Sequence, residues 1–357
     1  MKVLLLGEYS GFFSNLKRGL EQIGIECTLA ANGDGWKKIE GSDIKLFGNL
    51  KESNLINKGI NRILYPISHL KAFSGYDVVY MVSPSLFRPC ITKFMINELK
   101  KRNRKVFVSI AGGCFSLCKS FLDGVLKYYI YTNYPENIRY FDYRDPKNKK
   151  RYNLENYIYE HVDGIIPIMY EYAIGVRHYP NCCNTIPLPF DSSKIEYIPN
   201  RANDRIVIMH GLIREKSKGS DYIIGALRII KERHPNEVEI IIDGKMPLSD
   251  YLEKLKTVNI LVDQCKEHCY GLNALYAMAE GRIVLGGASR NSLKEFGINS
   301  CPVIHIMPDV QQIVSQLEYV ISMKNEYERM GSEARQFVEQ MHNHVSIAKK
   351  YIEVWEK

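Results

Sequence analysis

The residues best suited to chemistry stand in two short polar stretches of the second half. The first is His210-Gly211-Leu212-Ile213-Arg214-Glu215-Lys216-Ser217-Lys218-Gly219, which follows a strand-like run and opens a helical one. The second runs from Asp263 to Gly287, DQCKEHCYGLNALYAMAEGRIVLGG. In it Leu272, Leu275, Tyr276, Met278 and Ala279 recur at helical spacing after Gly271 and stop at Gly281, so a helix leaves a polar loop and packs on a sheet. Such a loop brings unpaired N–H groups and the positive end of the helix dipole to the C-terminal edge of a parallel sheet, where an anion is well received. Arg214 adds a fork of donors and Lys218 a point charge. Gly211 and Gly219 are expected to permit backbone shapes that other residues resist. The two loops together predict a pyrophosphate site and a nucleotide sugar as its ligand.

The elements that must position these loops alternate along the chain. Strands are expected at Lys2–Leu6, Glu26–Ala30, Val78–Val82, Val106–Ile110 and Gly164–Ile168, and a helix carries Leu16, Leu20 and Ile23 on one face. A second series follows: strand Arg205–Met209, helix Ser220–Glu232, strand Glu237–Ile242, helix Leu248–Lys256, strand Asn259–Val262, the helix after Gly271, and strand Ile283–Leu285. This βαβα rhythm implies parallel sheets wrapped by helices. Between the series, Asn181–Asn203 holds Pro187, Pro189 and Pro199 with little periodicity and reads as a linker. The fold class is therefore α/β, with two Rossmann-like doubly wound domains facing a central cleft. Their expected bounds are 1–188 and 189–335, and residues 336–357 form a C-terminal helix returning to the first domain.

Two segments break the rhythm. Asn54–Phe73 is amphipathic, with Pro66 expected to kink or break it. From Lys127 to Tyr159 tyrosines interleave with basic residues, as in a substrate-facing insertion. Aromatic faces stack on sugar rings as well as on bases, but no nucleic-acid recognition module accompanies them, so nucleic acid is not an expected partner.

Composition narrows the class. With 357 residues, the chain is long enough for two cores, and 45% hydrophobic with 25% charged residues is ordinary for a globular protein. No apolar run reaches the roughly 18 residues of a membrane span, and MKVLLLGEYSG reads as a first strand rather than a signal peptide. Nine irregularly spaced cysteines imply reduced thiols and a cytoplasmic location. Cys265, His268 and Cys269 lack a second ligand pair, so no metal is expected. The net charge of +8 gathers in Lys100–Lys105 and Arg144–Arg151. These clusters fit solvated surface, or attraction to a lipid-phosphate acceptor or to an anionic membrane at the inner face of the plasma membrane. The three-glycine dinucleotide fingerprint is absent, which argues against hydride transfer.

The second half resembles the donor domain of GT-B glycosyltransferases, specifically the large retaining nucleotide-sugar-dependent family of bacterial capsule and O-antigen type. Arg214 and Lys218-Gly219 match the family's phosphate-contacting loop, with the Arg one position nearer. Asn273–Gly281 matches its Ala-Met-Ala-x-Gly helix. Met330-Gly331, Ala334-Arg335, Val338-Glu339 and Tyr351 resemble its terminal helix, expected here as one stretch over Ser332–Trp355. Gly7-Glu8-Tyr9-Ser10-Gly11 is similar to its glycine-bearing first loop. One departure stands out: His268 and Tyr276 occupy the positions of two glutamates usual in the family, with Glu267 one residue from the first.

The resemblance implies sugar transfer from a nucleotide-diphosphate sugar to a glycan or lipid-linked acceptor hydroxyl in surface polysaccharide biosynthesis, with no cofactor. It implies donor binding by Gly11, Gly211, Arg214, Lys218, His268, Tyr270, Gly271, Leu272, Asn273 and Tyr276, and assigns no catalytic residue. Two other classes stay open: a non-catalytic GT-B scaffold of a polysaccharide-assembly complex, and a nucleotide-sugar epimerase.

Overall fold

Runs such as Val3-Leu4-Leu5-Leu6 are apolar on both faces, which fits strands covered on both sides inside a parallel sheet. The computed structural model describes residues 1–37, 39–48, 54–212, 215–244 and 246–357. In chain order the elements begin with β1 (Lys2–Leu6), α1 (Phe12–Gln22), β2 (Glu26–Ala30), α2 (Leu55–Ser68), β3 (Val78–Met81) and α3 (Pro89–Arg102). They continue as β4 (Lys105–Ile110), α4 (Phe115–Leu122), α5 (Pro135–Phe141), α6 (Lys149–His161), β5 (Gly164–Pro167) and α7 (Tyr170–Val176). A second series holds β6 (Ile206–Gly211), α8 (Glu215–Lys218), α9 (Ser220–Arg233), β7 (Val238–Asp243), α10 (Leu248–Leu255) and β8 (Ile260–Val262). It closes with α11 (Leu272–Ala279), β9 (Ile283–Gly286), α12 (Arg290–Glu295), β10 (Ile304–His305), α13 (Val310–Ser322), α14 (Tyr327–Met341) and α15 (His344–Glu356).

The chain forms two compact units. Unit 1 comprises residues 1–123, 139–189 and 344–357, and unit 2 comprises residues 124–138 and 190–343. Each is built on one five-stranded sheet, ordered β2-β1-β3-β4-β5 in unit 1 and β10-β9-β8-β6-β7 in unit 2. Every strand pairing is parallel. In both orders the chain starts in the interior of the sheet, builds outward on one side and then on the other. The order therefore reverses between β1 and β3 in unit 1, and between β6 and β8 in unit 2. In open α/β sheets, the crevice beyond the C-terminal ends of such a strand pair is where ligands bind.

Unit 2 buries one face of α9 and α13 on the sheet through Ile223, Leu227, Ile230, Ile313 and Leu317. In unit 1, α15 lies along α1. Its Tyr351 and Trp355 rings pack against Tyr80 at 5.3 and 5.9 Å, and the Lys105 ammonium donates to Trp355 O at 2.8 Å. Close approach of the two helices depends on Gly19, where an added Cβ would stand 2.2 Å from His344 O.

Several expectations change in detail. The expected Ser332–Trp355 helix starts earlier, at Tyr327, and breaks at His342-Asn343. There the Phe190 N–H donates to His342 O at 2.7 Å, and the His342 ring meets Tyr270 OH at 3.0 Å, so the bonds of the break serve other segments. Pro66 does not end α2: the helix runs on to Ser68, and the proline gives up only its own i→i−4 bond. The tyrosine-rich stretch is not irregular, since it contains α5 and α6. The proline-rich 181–203 segment is anchored rather than loose: Ile186, Leu188, Phe190 and Ile195 are buried, and Asn200 and Asn259 hold each other in a buried pair at 2.8 Å. Among the described residues, no helix is long and apolar enough to cross a membrane.

Gly19→Ala should destabilise the chain by about 1–3 kcal/mol, the usual cost of forcing extra atoms into a packed contact. Urea unfolding reads this directly, and an unchanged midpoint would mean that α1 and α15 do not meet at Gly19.

Candidate functional site

The loops that follow β6 and β8 carry the two polar stretches, so both arrive at the reversal point of the unit 2 sheet. Beneath them His210, the penultimate residue of β6, is fully buried. One ring nitrogen lies 2.8 Å from Val262 O and the other 2.8 Å from Ser220 Oγ. A carbonyl only accepts, so Nδ1 carries the proton and Nε2 accepts from the serine. Burial lowers the imidazole pKa to about 4, which keeps it neutral at physiological pH.

Above this pair, Lys218 at the end of α8 donates to Asp263 Oδ1 at 2.5 Å, and Asn273 Nδ2 donates to the same oxygen at 2.6 Å. Lys218 and Asp263 are both buried. One carboxylate thus ties the first loop, the end of β8 and the first turn of α11 together. Gly219 makes this possible: it adopts a left-handed φ of 75°, and an added Cβ would stand 2.4 Å from Cys265 Sγ. Cys265 N–H in turn donates to Lys218 O at 3.0 Å.

The helix starts of the two units differ. In unit 2, α9 begins after Gly219 and α11 after Gly271, and among the described residues no side chain caps either one. The Tyr222 N–H of α9 turns back to Gly219 O at 3.1 Å, and the N–H groups before it and at the start of α11 can meet another acceptor. In unit 1 the start of α1 is closed by Glu8, whose buried carboxylate accepts from Gly11 N, Phe13 N, Ser14 N and Ser14 Oγ at 2.7–3.3 Å. Burial raises the Glu8 pKa while these hydrogen bonds oppose the rise. Glu155 closes α4 in the same way through Phe115 N and Ser116 N. The helix after β3, α3, opens with Pro89, which has no N–H to offer.

Residues 124–138, the front of the tyrosine-rich stretch, belong to unit 2 and wall its loops. Tyr128 stacks on His268 at 4.2 Å with the planes 4° apart. The Lys266 ammonium is buried, donates to Thr132 O at 2.9 Å and stands 4.5 Å from the Tyr134 ring centre. Lys216 pairs with Glu136 at 2.7 Å and lies 5.1 Å from the same ring. Asn133 donates to Tyr222 OH. Burial lowers the pKa of Lys266, and it lowers that of His268 to about 4.

The structure therefore gathers Lys218, Gly271, Leu272 and Asn273 at the sheet edge, with His268 behind them. Arg214 lies outside the described residues. Gly211 does not act as a flexible loop glycine: it is the last residue of β6, paired with Asp243, and its φ is not positive. Gly11 caps α1 in unit 1 with its N–H spent on Glu8. Tyr270 is buried against His342, Leu272 is buried in α11, and Tyr276 packs edge-on to Phe190 at 4.9 Å. Glu267 is half-buried and donates its N–H to Gln264 Oε1. The sequence reading gave Asp263 and Lys266 no role in the site and took Tyr128 and Tyr134 only as part of a substrate-facing insertion. Asp263 was visible as a carboxylate ending a buried strand, whereas the pairing of the tyrosines with a loop more than 80 residues away left no local signal. Among the described residues, no three His, Cys, Asp or Glu side chains gather as metal ligands would.

Solved structures share this architecture over the whole chain. One is Anabaena HepE in complex with UDP and glucose, at 12% identity with 100% of both chains covered and a TM-score of 0.63. Sucrose-phosphate synthase from Thermosynechococcus elongatus matches at 14% identity, covering 100% of this chain and 98% of that one, with a TM-score of 0.66. S. aureus TarM in complex with fondaparinux, alpha-GlcNAc-glycerol and UDP matches at 10% identity over 100% of both chains, with a TM-score of 0.62. The chain thus has the GT-B fold, two parallel-sheet α/β units of five strands each. No protein-family model matches the sequence, and no curated protein matches it.

His210 and His268 are both held near 4, below the ordinary 6.5. Between those values the unfolded chain binds more protons than the folded one, so stability falls as pH drops from about 6.5 towards 4. His210→Asn keeps a donor for Val262 O and removes one titration, so its denaturation midpoint should fall less between pH 7 and 5. Equal slopes for variant and wild type would contradict a buried neutral His210.

Proposed function

We propose that this chain is a glycosyltransferase that moves a sugar, by this reading a hexose, from a nucleotide-diphosphate sugar to a glycan or lipid-linked acceptor. The observation that carries this reading is the pair of uncapped helix starts, α9 and α11, joined through Lys218, Asp263 and Asn273 at the reversal point of the unit 2 sheet. The diphosphate of the donor fits there, on N–H groups that no side chain has claimed. The GT-B fold supports the reading, as do relatives whose structures contain UDP.

As the anomeric bond breaks, the leaving diphosphate gains negative charge. Fixed N–H donors at the start of α11 and cations at Lys218 and Arg214 would stabilise that charge without reorganising during the step. Asp263 holds Lys218 and Asn273 in place before the donor arrives, so little side-chain entropy remains to be lost. His268 and Tyr276, neutral where the resemblance puts glutamates, would contribute hydrogen bonds without charge. The stereochemical course, a role in surface polysaccharide, a cytoplasmic location and peripheral contact with an anionic membrane remain part of the proposal. For the membrane contact, α2 supports it by exposing Ile60 and Leu64 one turn apart.

Calorimetric titration with UDP tests the site. Arg214→Ala together with Lys218→Ala should weaken binding more than tenfold, about 1.4 kcal/mol or more. Unchanged affinity in a folded double variant removes these residues from the site. Incubating a UDP-sugar with no acceptor separates the reading from an epimerase, which would convert the donor alone.

A further inference from the structure

Residues 124–138 stand in the chain between β4 and β5, two strands of unit 1, yet they pack within unit 2. Leu126, Tyr128, Tyr129 and Ile130 are buried, so the stretch is a strap rather than a loose loop. Its turns close on themselves. Tyr129 N–H donates to Thr132 Oγ1 at 2.7 Å, Thr132 N–H to Tyr129 O at 2.8 Å and Tyr134 N–H to Tyr131 O at 2.9 Å. Outward contacts reach both polar loops and the first turn of α9: Tyr128 on His268, Thr132 and Tyr134 on Lys266, Asn133 on Tyr222 and Glu136 on Lys216.

The two lysines are held differently. Lys216 and Glu136 form an exposed pair, which contributes little. Lys266 is 1% exposed, and its ammonium meets the Thr132 and Lys216 carbonyls at 2.9 and 3.4 Å and the Tyr134 and Tyr222 rings at 4.5 and 5.6 Å. Among the described residues no carboxylate forms an ion pair with it; Asp221, exposed in the first turn of α9, attracts it from further away. Carbonyls and ring faces return only part of the hydration that a buried ammonium gives up, and burial accordingly lowers its pKa. The stem of the same side chain runs beside Gly219, with Cγ and Cδ 3.2 and 3.5 Å from where a Cβ on that glycine would stand. An unbalanced cation therefore leans on the corner from which α9 starts, and the strap, through Thr132 O and the Tyr134 ring, is part of what encloses it.

We infer that the strap and the diphosphate are coupled through Lys266: the closed strap keeps water from the ammonium, and a diphosphate on the α9 and α11 starts supplies the countercharge that the ammonium lacks. This rests on the nucleotide-sugar reading and adds a positioning residue to it, one that acts through its field because its ammonium is enclosed. With water excluded, the attraction between the two charges is screened less than at a wet surface. Opening is a local event, since only residues 124–138 have to leave the loops. The coupling is reciprocal: the factor by which UDP suppresses opening is the factor by which opening weakens UDP binding.

Hydrogen exchange of the full chain, with and without saturating UDP, reads the coupling at the Tyr129, Thr132 and Tyr134 amides. UDP should slow their exchange about fivefold or more. Lys266→Met keeps the apolar stem and removes the charge. It should lower UDP affinity about fivefold or more and abolish the slowing, and Lys266→Arg should restore both. Tyr134→Leu removes a ring face and no charge; it should speed exchange of the strap and weaken UDP binding, and it decides the matter if the Met variant does not fold. A strap loosened by either substitution with UDP affinity unchanged would show that Lys266 merely packs the loop, and the inference falls. UDP that binds without slowing exchange overturns the coupling and leaves the nucleotide-sugar reading standing. UDP that does not bind at all overturns that reading, and the coupling with it.

Discussion

On the proposed reading, whether a helix start is open or already closed decides where this chain would receive a diphosphate. Four N–H groups at the head of every α-helix lack an internal partner, and something must satisfy them. In unit 1 buried carboxylates do so at α1 and α4, and these bonds fix the loops around them. In unit 2 glycines lead into α9 and α11, and among the described residues no side chain caps them. Two sheets of the same construction therefore differ in how the helix starts at their edges are satisfied. The unit 2 site also depends on Gly219, because only a residue without a side chain lets Lys218 and Cys265 share that corner.

Most of the framework was legible in the sequence because it obeys short-range rules. Both series of strands and helices were readable from period and glycine punctuation, including the start of α11 after Gly271 and its stop before Gly281, whose φ is 89°. A fold defined by such patterns persists where identity is only 10–14% over whole chains. The short edge strand β10, two residues long, gave no comparable signal.

What stayed hidden was long-range pairing. Lys218 reads in sequence as a free cation for phosphate, yet it rests on Asp263, 45 positions away. Glu8 stands in the loop that resembles the family's glycine-bearing first loop, and its oxygens are taken by the first turn of its own helix. The tyrosines of residues 124–138 look like a substrate-facing insertion, and nothing in their spacing showed that Tyr128 and Tyr134 pack on His268 and Lys266. In each case burial forced a polar group to find a partner, and which partner depends on tertiary neighbours that spacing does not reveal.

The account stands on the placement of the diphosphate, which a crystal structure of the full chain soaked with UDP would show. It predicts phosphate oxygens within hydrogen-bonding distance of the Leu272 and Asn273 N–H groups and beside Lys218. A diphosphate seated at the Gly7–Phe13 turn of the other unit, or UDP bound nowhere on these loops, would contradict it.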